Sequence, residues 1–317
     1  MKLMTVLILG DENDPHVQAV REAAVGFGSE VFLFNFRSRD SRVTFVADRK
    51  VSALFVNTAG ELHSSAITSV WWRIKPILPN TPPPNPIATN FKNREWEFVL
   101  RSLPKYMEKT VQWVNPIERQ VFLNYKPNQL AIALEAGLLI PRTLFSNDSG
   151  SILDEFQAEE KIVYKTISPF VDPPDGVIMT NFVPRETIAQ TAANIAVCPG
   201  TFQKPIEKSY ELRVYVVGGE IFAFRVDSQR SQAGRLDWRR AQDEDIFQLT
   251  RLDEEVARRI MRFHSLAGIV YGAYDLIVSV DGQTYFLECN PGGQWLWLEH
   301  ALGVSIANRL GALLARR

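Results

Sequence analysis

Short apolar runs broken by polar, glycine and proline punctuation set the rhythm of this chain. Residues 3–10 form a short apolar strand, 15–26 a helix-like stretch and 30–36 (EVFLFNF) a second strand, which predicts a β-α-β opening of an α/β layer. A further strand is predicted around Ser69–Ile74. The prolines of KPILPNTPPPNP behind it exclude regular helix or sheet and favour extended, polyproline-like backbone, as a connector or surface flap. Asn90 is the expected cap of a helix reaching about Met107, with Phe91, Trp96, Val99, Leu100 and Leu103 on its apolar stripe. The first domain is expected to close near Asn115-Pro116.

A second unit begins at FLNYKPNQLAIALEAGLLIP, where Pro127 suits a first helical position, Gly137 the stop and Pro141 the following break. KIVYKTI at 161–167 reads as a strand. From Thr201 onward the pattern is strand-rich: YELRVYVVGGEIFAFRVDS is a hairpin around Gly218-Gly219. DEEVARRIMRFHSLAG is a helix with Val256, Ile260, Phe263 and Ala267 on one face. That helix feeds into a last hairpin, YGAYDLIVSVDGQTYFLECN. The expected division is 1–115, 116–200 and 201–317.

Composition narrows the classes. With 317 residues and 46% apolar content, the chain can bury large cores and divides into two or three domains. Thirty-five basic against 36 acidic residues leave a formal charge of −1, so no global field attracts nucleic acid or an anionic membrane. Cys198 and Cys289 are too few for a secreted disulfide framework, and no apolar run approaches the ~20 residues that span a bilayer. MKLMTVLILGDENDP reads as a first strand rather than a signal peptide, and the expected compartment is a reducing cytoplasm. Gly10-Asp11-Glu12 lacks the glycines of a nucleotide fingerprint, and its acids would repel a pyrophosphate.

The last hairpin carries the strongest chemistry. Asp281-Gly282 is a two-residue turn signal; if Val280 pairs with Gln283, counting back sets Asp275 opposite Glu288, with Cβ atoms ~5 Å apart. Asn290 points to the same face, while Leu276, Val278, Tyr285, Leu287 and Cys289 alternate onto the other as core. Facing carboxylates repel, and a divalent cation cancels that repulsion. Two carboxylates and an amide suit Mg²⁺ shared with substrate phosphates. A solvated polar face on an edge hairpin is the plain alternative.

Several basic groups ask for an anion. Lys165 shares a strand face with Val163 and Ile167, where an ammonium needs either a counter-charge such as a nucleotide phosphate or a route to solvent. Lys126 sits before a helix start, where free N–H groups and the dipole favour an anion or where a lysine is simply solvated. Glu211 and Arg213 share a face with Tyr215, Phe222 and Phe224, as an intramolecular ion pair or as groups lining a nucleotide and reaching its terminal phosphate. Arg239 and Arg240 stand in a polar loop, either solvated or facing a transferring phosphoryl group. The four histidines are scattered, His264 reads as structural, and Cys289 reads as packing.

Lys126, Lys165, the Phe202-Gln203 segment, ELRVYVVGGE, Asp275 and ECN at 288–290 occur in the order expected of the ATP-grasp superfamily, which the chain resembles over essentially its whole length. Within it, SVWWRIKP, the Lys126-Pro127 segment with GLLIPRTLFSND, EKSYELRVYVVG, DWRR and LECNPGGQWLWLE resemble the maturases of microviridin-type peptides, the graspetides. The resemblance implies an N-terminal α/β domain (1–115), a central lid (116–200) and a C-terminal ATP-grasp domain (201–317), with ATP between the last two. It implies ATP-dependent phosphorylation of an Asp or Glu side chain of a ribosomally made precursor, with leader and core. A Ser or Thr hydroxyl or a Lys amine of the same peptide then attacks, closing a ring and releasing ADP and phosphate.

Carried onto this chain, the resemblance has Lys126 and Lys165 hold phosphates, and Gln203, Lys204, Pro205 and Ile206 form the adenine hinge, with Glu211 lining the nucleotide. Arg213 with Arg239 or Arg240 stabilises the transferring group, and Asp275, Glu288 and Asn290 hold Mg²⁺. Arg73 and Glu186, the acid of the leader-facing segment PRETIAQTAANIA, are the implied peptide contacts, and a homodimer is implied. Two other functions fit the same fold: a ligase adding a free amino acid to a carboxylate, and a nucleotide-binding regulatory module without turnover.

Overall fold

The computed structural model describes residues 4–74, 85–168, 171–172, 176–177, 180–230 and 246–316. β1 (Thr5–Leu9), α1 (Pro15–Gly26) and β2 (Glu30–Phe34) form the expected opening unit. Asp14 caps α1 by accepting from the His16 N–H, and Pro15 follows where a missing N–H is harmless. β3 (Arg42–Ala47), β4 (Val51–Asn57) and β5 (Gly60–His63) make a separate antiparallel sheet that the sequence pattern did not announce. β6 (Ser69–Trp72) and β7 (Gln112–Val114) complete a parallel sheet ordered β2-β1-β6-β7, whose central β1 is buried from Val6 to Leu9.

The helix expected between Asn90 and Met107 is α2 (Pro86–Ser102), followed by a 3₁₀ turn at Leu103–Lys105. Asn85, not Asn90, caps it, its side chain accepting from the Ala88 N–H at 3.0 Å. Both asparagines precede apolar residues, but only Asn85 is followed by a proline suited to the first turn. Leu100 and Leu103 are buried as expected, while Phe91 is 66% exposed.

α3 (Ile117–Leu123) and α4 (Lys126–Glu135) follow, then β8 (Thr143–Ser146), α5 (Ser149–Glu155) and β9 (Lys161–Lys165). The short strands β10 (Val171–Asp172) and β11 (Gly176–Val177) pair with each other. β12 (Asn181–Pro184), α6 (Arg185–Gln190), α7 (Ala192–Val197) and β13 (Gly200–Gln203) complete the middle of the chain. The central antiparallel sheet runs β12-β9-β13-β8, and Ile152, Phe156, Ile162, Ile188 and Phe202 pack on one face of it.

The pairing and packing cut across the expected division. A boundary at residue 200 falls inside β13, which is hydrogen-bonded to β8 and β9. Leu123, Leu130, Ile132 and Ala133 of α3 and α4 join Leu212, Val214, Ile260 and Phe263 in the next core rather than that of the central sheet. The segment PRETIAQTAANIA holds two short helices broken at Thr191, whose hydroxyl donates to the Thr187 carbonyl at 2.7 Å.

β14 (Lys208–Val217), β15 (Glu220–Val226), β16 (Phe247–Thr250), α8 (Glu254–Ala267), β17 (Tyr271–Ser279), β18 (Thr284–Asn290), α9 (Leu296–Leu302) and α10 (Ile306–Leu314) complete the chain. Their antiparallel sheet is ordered β16-β15-β14-β17-β18. α8 is capped by Asp253 and stopped by Gly268 in the left-handed region, with the predicted Ile260, Phe263 and Ala267 buried. One face of the sheet packs on α4 and α8. On the other, Tyr215, Phe224, Tyr271 and Trp295 share a core with Val6, Ile8 and Trp71 of the first sheet, with Val17 of α1 and with α10. Gly311 lets α10 lie against α1, since a Cβ there would stand 2.5 Å from that of Ala23. Among the described residues no helix is long and apolar enough to cross a membrane.

Candidate active site

Asp275 faces Glu288 as expected, but by another route. Ser279 and Gln283 close a three-residue tip with Gly282 at φ 82°, so Val278 pairs with Thr284 and Leu276 with Phe286. Leu287 is then an extra residue on β18, and past this bulge Asp275 meets Glu288 and Ala273 meets Asn290. Two one-residue departures cancel. Their trace is in the core: Phe286 is fully buried against Phe263, whereas Tyr285 and Leu287, expected inside, are half-buried.

Arg213 lies opposite Asp275 in the ladder between β14 and β17, and its guanidinium is paired with that carboxylate. The expected Glu211–Arg213 pairing is replaced by others: Arg213 takes the closer cross-strand Asp275, and Glu211 takes Lys208, which the bulge between Lys208 and Tyr210 separates from the regular ladder. Glu211 accepts from Lys208 Nζ at 2.5 Å and from Ser228 Oγ at 2.8 Å. Glu211, Arg213, Asp275, Glu288 and Asn290 thus lie on one face of the sheet, beside its aromatic core. Asn290 Oδ1 accepts from the Gly292 N–H at 2.9 Å, which fixes the amide at the end of β18. Among the described residues no three His, Cys, Asp or Glu side chains gather as a metal cage. A cation on this face would take two carboxylates, an amide and ligands from outside the chain, a donor set that suits Mg²⁺.

The central sheet brings the lysines together. Lys126, the first residue of α4, donates from Nζ to the Thr166 carbonyl at 3.1 Å, next in sequence to Lys165. Lys165 pairs with Thr201, and Val163 with Gln203, so these side chains share the sheet face opposite the Phe202 core. The Thr201 hydroxyl is buried with no hydrogen-bond partner among the described residues. Gln203 is buried and donates to Thr143 Oγ1 at 2.9 Å. Lys204 gives its N–H to the Arg142 carbonyl at 2.9 Å and its ammonium to Glu159 at 3.2 Å; Pro205 and Ile206 are half-buried. Glu186 is exposed in the first turn of α6. Arg239 and Arg240 lie outside the described residues.

Arg73, the other implied peptide contact, is held inside the fold. It is 4% exposed, paired through Nε with Asp14 at 3.1 Å, and donates from Nη1 to the Gly292 and Gly293 carbonyls at 2.6 and 3.0 Å. Burial lowers its pKa and Asp14 opposes that shift. Other groups that the sequence reading missed hold the same loop. Asn115 Nδ2 donates to Pro291 O at 3.1 Å, Tyr271 to Gly293 O at 3.0 Å and Tyr215 to Gln294 O at 2.8 Å. His16 Nε2 accepts from the Trp295 and Leu296 N–H groups at 3.1 and 3.2 Å. Burial pushes the Tyr215 and Tyr271 hydroxyls up, which keeps them donors. The capping signature Asp14-Pro15 was the only local cue to any of these contacts.

His264 is buried with Nδ1 2.7 Å from the Tyr274 hydroxyl, and burial lowers its pKa to about 4. It stays neutral and structural. Cys289 is buried in the α8-side core, its thiol pushed up by burial, and serves packing.

No protein-family model matches the chain, and no curated protein matches it in sequence. Solved structures do. A RiPP-associated ATP-grasp ligase of Chryseobacterium gregarium, in complex with ADP and a leader and core peptide, is 26% identical over 98% of this chain and 96% of its own, with a TM-score of 0.86. The macrocyclase MdnC of Microcystis aeruginosa, bound with precursor peptide MdnA, is 26% identical over 98% and 99%, with a TM-score of 0.85. The ATP-grasp ligase PsnB, complexed with a phosphomimetic variant of a minimal precursor, Mg and ADP, shares the fold at 21% identity over 98% and 97%, with a TM-score of 0.78. With likeness of this degree along the whole length of both chains, the protein is an ATP-grasp ligase with the fold of the RiPP-associated ligases and macrocyclases.

Proposed function

We propose that this enzyme is an ATP- and Mg²⁺-dependent macrocyclase of a ribosomally made precursor peptide. The reaction joins an Asp or Glu side chain of the peptide to a Ser or Thr hydroxyl, or a Lys amine, of the same peptide, while ATP is split to ADP and phosphate. The carboxylate is first phosphorylated; the hydroxyl or amine then attacks the acyl carbon, loses its proton and displaces phosphate, leaving an ester or amide. The observation that carries this reading is the Asp275–Glu288 pair, with Asn290 on the same face and Arg213 beside it, in a fold shared with peptide-bound ATP-grasp ligases.

Each residue has a task in that reaction. Asp275, Glu288 and Asn290 would hold Mg²⁺, which when bound neutralises phosphate charge. Lys126 and Lys165 bind the phosphates, and the orphan Thr201 hydroxyl beside Lys165 gains a phosphate oxygen as partner. Gln203 through Ile206 form the adenine hinge, with Glu211 at the nucleotide's edge. Arg213, with Arg239 or Arg240, orients the carboxylate and steadies the charge that builds on the transferring group. No protein nucleophile is required. Glu186 contacts the leader, Arg73 acts on the peptide side through the loop it holds, and the chain divides into N-terminal, central lid and C-terminal ATP-grasp parts.

The reading includes a cytoplasmic homodimer, in keeping with two free cysteines, and a monomeric mass by light scattering would count against the dimer. The deciding experiment incubates the enzyme and MgATP with the product of a short neighbouring reading frame rich in Thr, Ser, Asp and Glu. Loss of one water per ring by mass spectrometry is expected. A gain of one amino-acid residue would instead mark a free-amino-acid ligase.

A further inference from the structure

The loop from Pro291 to Leu296 follows directly on the proposed metal ligand Asn290, and four successive carbonyls in it are each taken by a different side chain. Two of the donors, Arg73 after β6 and Asn115 after β7, come from the end of the first sheet, and His16 at the start of α1 takes the two N–H groups that follow. Because His16 Nε2 accepts, its proton sits on Nδ1 and is donated to Asp14 at 2.9 Å. Asp14 in turn aligns Arg73 through Nε at 3.1 Å. The guanidinium then bridges Gly292 O and Gly293 O. This grip bears on the metal face through one residue: the Gly292 N–H is the donor to Asn290 Oδ1, and the Gly293 N–H lies 3.3 Å from the Asn290 carbonyl. Gly293 packs close against the sheet, where an added Cβ would stand 2.4 Å from that of Ala273.

We infer that Arg73, held by Asp14, is a positioning residue for Asn290: it clamps the loop whose N–H aims the amide at the cation. The inference rests on Asn290 being a metal ligand. The guanidinium reaches the carboxylate from Nε and the two carbonyls from Nη1, two nitrogens held apart in one rigid plane, whereas an ammonium must serve every acceptor from a single nitrogen on a flexible stem. Arg73→Lys therefore keeps the charge beside Asp14 and loosens the loop.

The test is calorimetry on the full-length protein, titrating Mg²⁺ into the ADP complex and, separately, ADP into protein in chelator. Arg73→Lys should weaken Mg²⁺ by about tenfold, as loss of an outer-shell partner does, with metal-free ADP affinity within about twofold of wild type. Ser69→Ala, which removes the 2.7 Å bond from Ser69 Oγ to Leu314 O across the same interface without touching the loop, should leave both affinities unchanged. Wild-type Mg²⁺ affinity in Arg73→Lys, or an equal loss in Ser69→Ala, overturns the inference. Should Arg73→Lys not fold by circular dichroism, Asp14→Asn enters the same titration with about a threefold weakening expected, and no change overturns it. A wild-type ADP complex that binds no Mg²⁺ overturns the metal reading itself, and this inference with it, before any variant is made.

Discussion

The charged face of the five-stranded sheet and the polar clamp beside it use the same residue types in opposite ways. In the clamp, His16, Arg73 and Asn115 are buried and Asp14 is half-buried, and their hydrogen bonds go to one another and to the backbone of residues 291–296 and 270–271. On the open face, Arg213 and Asp275 keep 17% and 14% of their side chains exposed, and Glu288 is half-buried in front of Asp275. Buried polar groups that satisfy each other fix a geometry, because any displacement strands a desolvated donor or acceptor. On the open face an acid faces an acid, an arrangement that a bound cation would favour under the proposed function. The comparison predicts that changes in the first region are read in the melt and in metal affinity, and changes in the second in turnover.

The largest break should come from Trp295, fully buried where the clamp meets the aromatic core. Trp295→Ala should cost about 3–5 kcal/mol in denaturant unfolding, enough to endanger the fold. Glu288→Gln should instead leave the midpoint nearly unchanged and lower ADP release and peptide dehydration by about a hundredfold or more. A full-rate variant would break the contrast at its root.

His264 tests burial without chemistry. Its folded pKa of about 4 lies below the unfolded value of 6.5, so between those limits the unfolded chain binds the extra proton. The stability it leaves in place above pH 6.5 is lost as pH falls toward 4, by roughly 3 kcal/mol, and His264→Asn should flatten that part of the pH–stability curve. The smallest effect is expected at Lys165→Ala: about tenfold weaker ATP binding by calorimetry, with the melt unmoved.

What was legible in the sequence follows the range of the forces. α1 and α8 announce themselves because caps and a 3.6-residue apolar period are local, as Asp14 with Pro15 and Asp253 with Gly268 show. The Gly218-Gly219 hairpin is equally local. β3 to β5 were not, since strands such as β3, with burial alternating between half and none, offer little apolar contrast. The facing of Asp275 and Glu288 was legible although the turn was not: a three-residue tip and a bulge at Leu287 offset each other, and only the core preference for Phe286 distinguishes the two ladders. The clamp was out of reach, because Arg73 and Gly292 are separated by 219 positions and no periodicity links a side chain to a distant backbone.

That bulge also decouples the two ends of the last hairpin. The extra residue at Leu287 is where the register changes, so the ladder nearest the tip and the ladder through the acids are set separately on either side of it. Val280, Asp281 and Gly282 project at the exposed end, beyond that break. The tip is therefore the place where this sheet can gain or lose a residue, or accept a grafted tag, without turning its chemistry inside out.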